Sequence, residues 1–422
     1  MAPTSDPIAE GLLRALATHE LDALGLESGA WQRLRTITPH RLVRCLLAAM
    51  SGGRVETIAD LCRSFNGMFG EQVRYKAFYN RLARAEFAVF MKAVVQRLLG
   101  MLQVRVLAAE RGADIAGFND IVVHDGSSFA LKDALADHFP GRFFNRDPAA
   151  VEFHATFSGF LDEALAIALA PDTTHERAFL PDPQSLRGCL FLADRGYPSR
   201  PYFRALREAG ARFVVRLSRA WRPRVRGDWP SDEAPTVQQF LEDQGDGAHD
   251  LDVEFRDKDK ADVFRLVVRP SASGAGVWLC TNLERDRFSP EAVTKLYRFR
   301  WQIELLFKEW KSYANLRKFD TANPHIAEGL IWASLGAALL KRFLAHSTQA
   351  ATGTPISTRK VAMCSQPWVR GLLNTLEQPR RLRAWASKTI AFLASQAKRA
   401  HPARDRVVGR LAIGLQPLGA SG

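Results

Sequence analysis

Five cysteines, Cys45, Cys62, Cys189, Cys280 and Cys364, are all that the 422 residues contain, and none lies at CxxC spacing or in a Cys/His cluster. Neither a disulfide framework nor a zinc site is supported, and the thiols read as small buried residues of a reducing compartment. Long hydrophobic runs are missing as well. The most apolar long stretch, residues 329–340, is about twelve residues, short of the ~20 needed to span a bilayer. The N-terminus carries acids early and no long apolar run, so it does not read as a signal peptide. No internal repeat or low-complexity tract breaks the chain. Acid is scarce in the C-terminal third: from Lys295 onward there are 21 Lys/Arg against 6 Asp/Glu, a balance of +15 within a net charge of +13. The rest is close to neutral, at −2. A soluble intracellular chain with a polyanionic partner is expected, nucleic acid ahead of an acidic membrane surface.

What is present begins with helices. Residues 1–116 show apolar spacing of helical period throughout, with 58–61, a turn near Asn66-Gly67 and 73–82 arranged as a helix-turn-helix. Its second helix would offer Arg74, Lys76, Arg81 and Arg84 around Tyr79 to a DNA groove, although any small bundle with basic faces looks similar. The texture changes at Gly117. Ile121-Val122-Val123 is a β-branched run ending in His124-Asp125-Gly126, and 151–158 alternates apolar and polar residues. A third strand follows at 164–169, then a buried run, 190–193, ending in Asp194-Arg195-Gly196-Tyr197. A helix at 199–208 and a strand at 212–217 complete an α/β pattern of mixed strand direction. Residues 219–285 interrupt it with a β-rich insertion, whose stretch 232–262 holds 11 Asp/Glu against 3 Lys/Arg. Helices resume at 286, and the tail 346–422 is the most basic part of the chain.

The richest stretch is 289–318. Ser289, Pro290 and Glu291 make a helix start. At ~100° per residue Leu296, Phe299, Ile303, Leu306, Phe307 and Trp310 share one apolar stripe. Tyr297, Arg300, Glu304 and Lys311 share a second stripe within roughly 60°. One carboxylate thus sits between two cations and a phenol. A simple Arg300–Glu304 pair at i,i+4 would also account for part of it.

Asp125 and Asp194 each end an apolar strand. If those strands are parallel neighbours, ~4.8 Å apart, both carboxylates leave the sheet at one edge, which suits two oxygen-liking cations, Mg²⁺ or Mn²⁺. Glu304 is the candidate third carboxylate. Taken singly, either Asp could equally serve a turn or a helix cap.

The series IVVHDGSS, VEFHATFSGF, FLADRGYPSRPYF and YRFRWQIELLFKEWK resembles the DDE transposases of the IS4 family. Their signature (Tyr, two residues, Arg, three residues, Glu, six residues, Lys) is met by Tyr297, Arg300, Glu304 and Lys311. The likeness covers roughly 117–345, and the region of the first Asp is its least specific part. It implies a ribonuclease-H-like catalytic domain over 117–218 and 286–345, with the β-rich insertion 219–285 between and helical regions 1–116 and 346–422 on either side. It implies that Asp125, Asp194 and Glu304 bind two Mg²⁺ or Mn²⁺ ions and cut at transposon ends before strand transfer. Tyr297, Arg300 and Lys311 would hold DNA phosphates. Trp278, on the last insertion strand, would stack on a base flipped from the end, while Trp301 is expected to pack inside. His124 and His154 read as structural. The partners implied are double-stranded DNA, as transposon ends and target, and further copies of the chain in a homodimer or higher assembly. The expected place is the bacterial cytoplasm, on the nucleoid. A nuclease without strand transfer and a non-catalytic DNA-binding protein are the alternatives.

Overall fold

The computed structural model describes residues 6–418 except 53–54, 56, 144, 230–233, 246, 258–259, 271–275, 315, 317–318, 365 and 401–408. Lys318, Arg404 and Arg406, which the sequence reading assigned to helical or basic segments, lie outside the described residues.

Six helices open the chain: α1 (Asp6–Ala15), α2 (Thr18–Glu27), α3 (Pro39–Met50), α4 (Ile58–Phe69), α5 (Tyr75–Leu82) and α6 (Ala85–Met101). Thr57 and Asp60 form a reciprocal capping box that starts α4. The helix ends at Gly70, which takes a left-handed backbone (φ 67°), not at Asn66-Gly67, which lie inside it. Asn66 instead binds both backbone groups of Val73 and fixes the turn into α5. The face of α5 differs from expectation. Arg81 turns inward, donating to the Ala30 carbonyl and lying 4.8 Å from the Trp31 ring centre. Arg74, Lys76 and Arg84 remain exposed.

After the short β1 (Leu107–Ala109) come β2 (Ile121–Ala130), β3 (Pro140–Phe143), β4 (Asp147–Ser158), β5 (Glu163–Pro171) and β6 (Leu190–Ala193), then α7 (Arg200–Glu208) and β7 (Arg212–Leu217). β2, β4 and β5 form an antiparallel meander, and β6 and β7 run parallel to β2. The order β5-β4-β2-β6-β7 is the ribonuclease-H-like arrangement. β4 is buried over most of its length because both faces are covered.

The insertion holds β8 (Arg224–Val225), α8 (Val237–Gln244), β9 (His249–Asp257), β10 (Lys260–Arg269) and β11 (Val277–Thr281). The sequence reading set it apart as a separate unit. It instead continues the same sheet: β11 pairs antiparallel with β7, Trp278 opposite Leu217, and the order runs on through β10, β9 and β8. The otherwise open edge of β7 is thereby paired.

The stretch 289–318 forms two helices, α9 (Pro290–Arg298) and α10 (Trp301–Tyr313). At the joint Phe299 and Arg300 bond to carbonyls three residues back, the tighter 3₁₀ pattern. Ser289 caps α9 through the Ala292 amide, and all six residues of the apolar stripe are buried. α11 (Pro324–Thr352) is 29 residues long and almost wholly buried. It packs against α3 and α6 on one side and α10 on the other. At Gly329 an added Cβ would strike the buried Phe87 ring of α6, so glycine sets how closely these helices approach. α12 (Thr358–Cys364), α13 (Gln366–Thr375) and α14 (Pro379–Gln396) return to α1 and α3, and β12 (Leu415–Pro417) pairs with β1. The two terminal regions thus share one helical body built round α11. Among the described residues no helix is long and apolar enough to cross a membrane.

Candidate active site

β2 and β6 are parallel neighbours, with His124 opposite Ala193, so Asp125 and Asp194 come next to each other. Asp194 lies just past the end of β6, whereas Asp125 stands inside β2, paired with Ala155 of β4, and not at the strand end expected from the sequence. β6 stops at Ala193, while β2 continues to Ala130 along β4. On a strand successive side chains face opposite ways. Val123, Asp125 and Ser127 face α9 and α10, and His124 faces the other side.

Arg300, at the joint between α9 and α10, lies between two carboxylates. Its Nη1 is 2.7 Å from Asp125 Oδ2 and its Nη2 is 2.5 Å from Glu304 Oε1. Asp125 and Arg300 are both well buried, so this is a charge-assisted pair in a low-dielectric setting. Burial raises Asp125 above the ordinary carboxylate range, the charges of Asp194 and Glu304 add to that, and Arg300 pulls against it. The Tyr297 hydroxyl donates to Asp194 Oδ1 at 3.0 Å, and Arg216 Nη1 stands 3.8 Å from the same oxygen. Lys311, two turns beyond Glu304, donates to Ser127 Oγ at 2.8 Å and to the Ser128 carbonyl at 2.6 Å. The backbone N–H of Gly126 donates to Asp125 Oδ1 at 3.0 Å.

Six of the seven side chains singled out from sequence therefore meet at one sheet edge: Asp125, Asp194, Glu304, Tyr297, Arg300 and Lys311. Trp278 does not join them. It is 2 % exposed within the sheet's second core, with no ring face open to a base. The expectation for Trp301 is reversed: it is 49 % exposed, beside exposed Leu305 one turn on. Arg216, Ser127 and Ser128 were not singled out. The one signal for Arg216 was a charge between the apolar run Phe213-Val214-Val215 and Leu217 near the end of a short strand.

Under β2, on the far face, lies a second polar group. His124 Nδ1 is 3.0 Å from Thr156 Oγ1, and the His154 ring stacks on Phe179 with centres 4.0 Å apart. Burial lowers His124 to about 3 and His154 to about 4, so both are neutral near pH 7. Burial, reinforced by the charge of Glu176, pushes Glu152 up to about 7. Glu152 Oε1 and His154 Nδ1 would stand 2.5 and 3.0 Å from a Cβ at position 126, so a larger residue beside Asp125 would have to push the Glu152 carboxylate aside.

All the donors near Arg300 are carboxylate oxygens, a set that suits a hard divalent cation, and a guanidinium spans two of them. Among the described residues no three of His, Cys, Asp and Glu come close enough together to hold a metal ion in this conformation.

The chain is similar to several known proteins. Putative transposase InsL of insertion sequence IS186A, from Escherichia coli K12, is 43% identical over 77 residues, 18% of this chain and 21% of that protein. The transposase of IS421 from Escherichia coli matches to the same extent. The chain therefore aligns with about a fifth of the length of these relatives. Putative transposase y4zB of Sinorhizobium fredii is 30% identical over 167 residues, 38% of this chain and 43% of that protein. A piggyBac transposase synaptic complex with hairpin DNA superposes with TM-score 0.48 at 12% identity, covering 91% of this chain and 85% of that one. The family described as Transposase DDE domain matches residues 116–340, a span that contains all six clustered side chains. By that match over more than half its length, the chain belongs to the Transposase DDE domain family.

Proposed function

We propose that this protein is the DNA transposase of an insertion sequence of the IS4 kind, cutting at transposon ends and joining the freed 3′ hydroxyl to target DNA. The observation that carries the reading is Arg300, which bridges Asp125 and Glu304 beside Asp194. Three carboxylates from three elements converge where a cation is already held. Asp125, Asp194 and Glu304 would hold two Mg²⁺ or Mn²⁺ ions, as their oxygen-only donor set allows. Bound there, such ions activate the attacking oxygen and stabilise the leaving one.

The remaining work belongs to the chain itself. Arg300 offsets the mutual repulsion of the carboxylates at rest, and once other cations take that task its fork can grip a phosphate of the DNA strand. Tyr297 fixes the orientation of Asp194 through its hydroxyl. Lys311, braced on Ser127 and Ser128, presents an ammonium on the same side of the edge. Pairing two transposon ends calls for a homodimer or higher assembly on DNA.

The test is incubation of the purified protein with Mg²⁺ and duplex DNA carrying the inverted repeats that flank its gene. Cleaved and joined products are expected, and both should vanish in Asp125→Asn, Asp194→Asn and Glu304→Gln while the folded state persists. Cleavage without joining would make the protein a nuclease. DNA binding with no cleavage would leave a non-catalytic binder and sink the proposal.

A further inference from the structure

On the side of the sheet away from α10, a cavity of about 630 Å³ lies between the start of α7, the turn after β7, and β8 and β9. Its wall carries five arginines, Arg177, Arg200, Arg222, Arg224 and Arg256, and a single carboxylate, Glu254. That carboxylate is taken by Arg256, whose Nε is 2.7 Å away. Arg224 donates to the Ala234 carbonyl at 2.7 Å and Arg200 to the Arg256 carbonyl at 3.1 Å, contacts that orient both guanidiniums. Arg177 and Arg222 are exposed, and their side chains make no hydrogen bond or ion pair among the described residues.

Arg222 also sits in a left-handed backbone conformation (φ 44°, ψ 51°), which L side chains rarely adopt outside glycine and asparagine. A bulky residue held there without a partner marks a place where surroundings and function outweigh local preference. The half-buried indole of Trp221, packed edge-on against Phe255, lines the same cavity.

The position matters. Arg200 follows Asp194 by six residues, so it lies no more than roughly 22 Å from it along an extended chain. Glu176, the neighbour of Arg177, presses so closely on Gly196 that a Cβ there would collide with it. DNA carries a phosphate about every 3.4 Å along each strand, so the distance from Asp194 to Arg200 spans at most about six or seven nucleotides of a strand led round the end of the sheet.

We propose that this arginine-lined cavity is a second phosphate-binding site, which grips the DNA backbone a short way from the position of cleavage. The assignment rests on the reading of the chain as a DNA-acting enzyme. Guanidinium forks suit phosphate oxygens, and such contacts fix the position of a duplex without reading its sequence.

The test measures binding of the full-length protein to a fluorescein-labelled 30-base-pair duplex of arbitrary sequence over a range of salt. Each lost phosphate contact removes about one unit from the slope of log K against log salt. Arg177→Ala/Arg222→Ala should therefore lower the slope by about two units. Arg222→Gly should lower it by about one while its Tm stays level or rises, because glycine suits the left-handed backbone. If the wild-type protein binds DNA and both variants keep its slope, the cavity is not a phosphate site, while the wider reading stands. A fall in Tm for Arg222→Gly with unchanged binding would assign that arginine a purely structural part and overturn its share. Failure of the wild-type protein to bind any duplex would sink the wider reading together with this one.

Discussion

Glu152 shows how a single buried carboxyl sets a pH response. It is 5 % exposed, and burial with the nearby charge of Glu176 raises it to about 7 from an ordinary 4.5. A carboxyl raised in the folded state binds protons more tightly there than in the unfolded chain. Its stabilising contribution is therefore full below about pH 4.5 and is lost as pH rises through about 7. Glu152→Gln should match the wild type in urea midpoint at pH 4.5 and exceed it at pH 8.5, by roughly 1–3 kcal/mol. Equal midpoints at both pH values would show that Glu152 is charged in the fold. Residues of this kind are poorly legible in sequence. Alternation in 151–158 marks Glu152 and His154 as one face of a strand, yet nothing local says that the face is covered. By contrast Asp125 and Asp194 are legible because each terminates a run of buried strand residues. Glu304 is legible because its helical phase joins it to Arg300 and Lys311. Trp301 falls outside the apolar stripe on the helical wheel, which accounts for its exposure against the expectation that it packs inside.

At the scale of elements, spacing conveyed more about what forms than about how neighbours join. The apolar stripe from Leu296 to Trp310 is buried as its period requires, but the 3₁₀ joint at Phe299–Arg300 divides the helix in two. That joint is where Arg300 departs toward Asp125, and no feature of the periodicity announces it. The β-rich character of 219–285 was visible, whereas its continuation of the central sheet depends on pairing between residues as far apart as Leu217 and Trp278. The arginine cavity drew on segments from Arg177 to Arg256 and was invisible for the same reason. The packing of α6 on α11 is set by Gly329, which meets a ring that is itself fully enclosed. Gly329→Val must push Phe87 aside or part the helices. A loss of roughly 1–3 kcal/mol in unfolding free energy is expected by chemical denaturation, as for other overpacked cores. A neutral result would mean that the two helices can slide apart freely.

Across the whole molecule, one buried ionic network fastens the central sheet to the helical body. Arg342 of α11 binds Glu163 of β5 at 3.1 Å, Glu309 of α10 at 3.1 Å and the Asp162 carbonyl. Asp162 also receives His346 and Arg410, and although burial alone would raise it, those arginines hold it well below the usual carboxylate range. Thr358 of α12 adds a hydroxyl to Glu309 at 2.6 Å. Replacing both sides of such a network with apolar residues can be neutral, but removing the central cation alone leaves acids buried and uncompensated. Arg342→Met is therefore expected to cost about 3–5 kcal/mol, read from urea denaturation of the full chain. A loss under about 1 kcal/mol would place the fastening in the apolar contacts of α11 instead.

The length of α11 also governs the order in which the protein can acquire its shape. Its buried surface completes the core of α3 and α6, elements made long before it, with the entire catalytic sheet lying between them in the chain. During synthesis the N-terminal helices emerge with their central partner still unmade, and apolar residues such as Phe87, Phe90 and Leu98 have no α11 to cover them. The helical body is thus left incomplete until the chain has been made as far as Thr352.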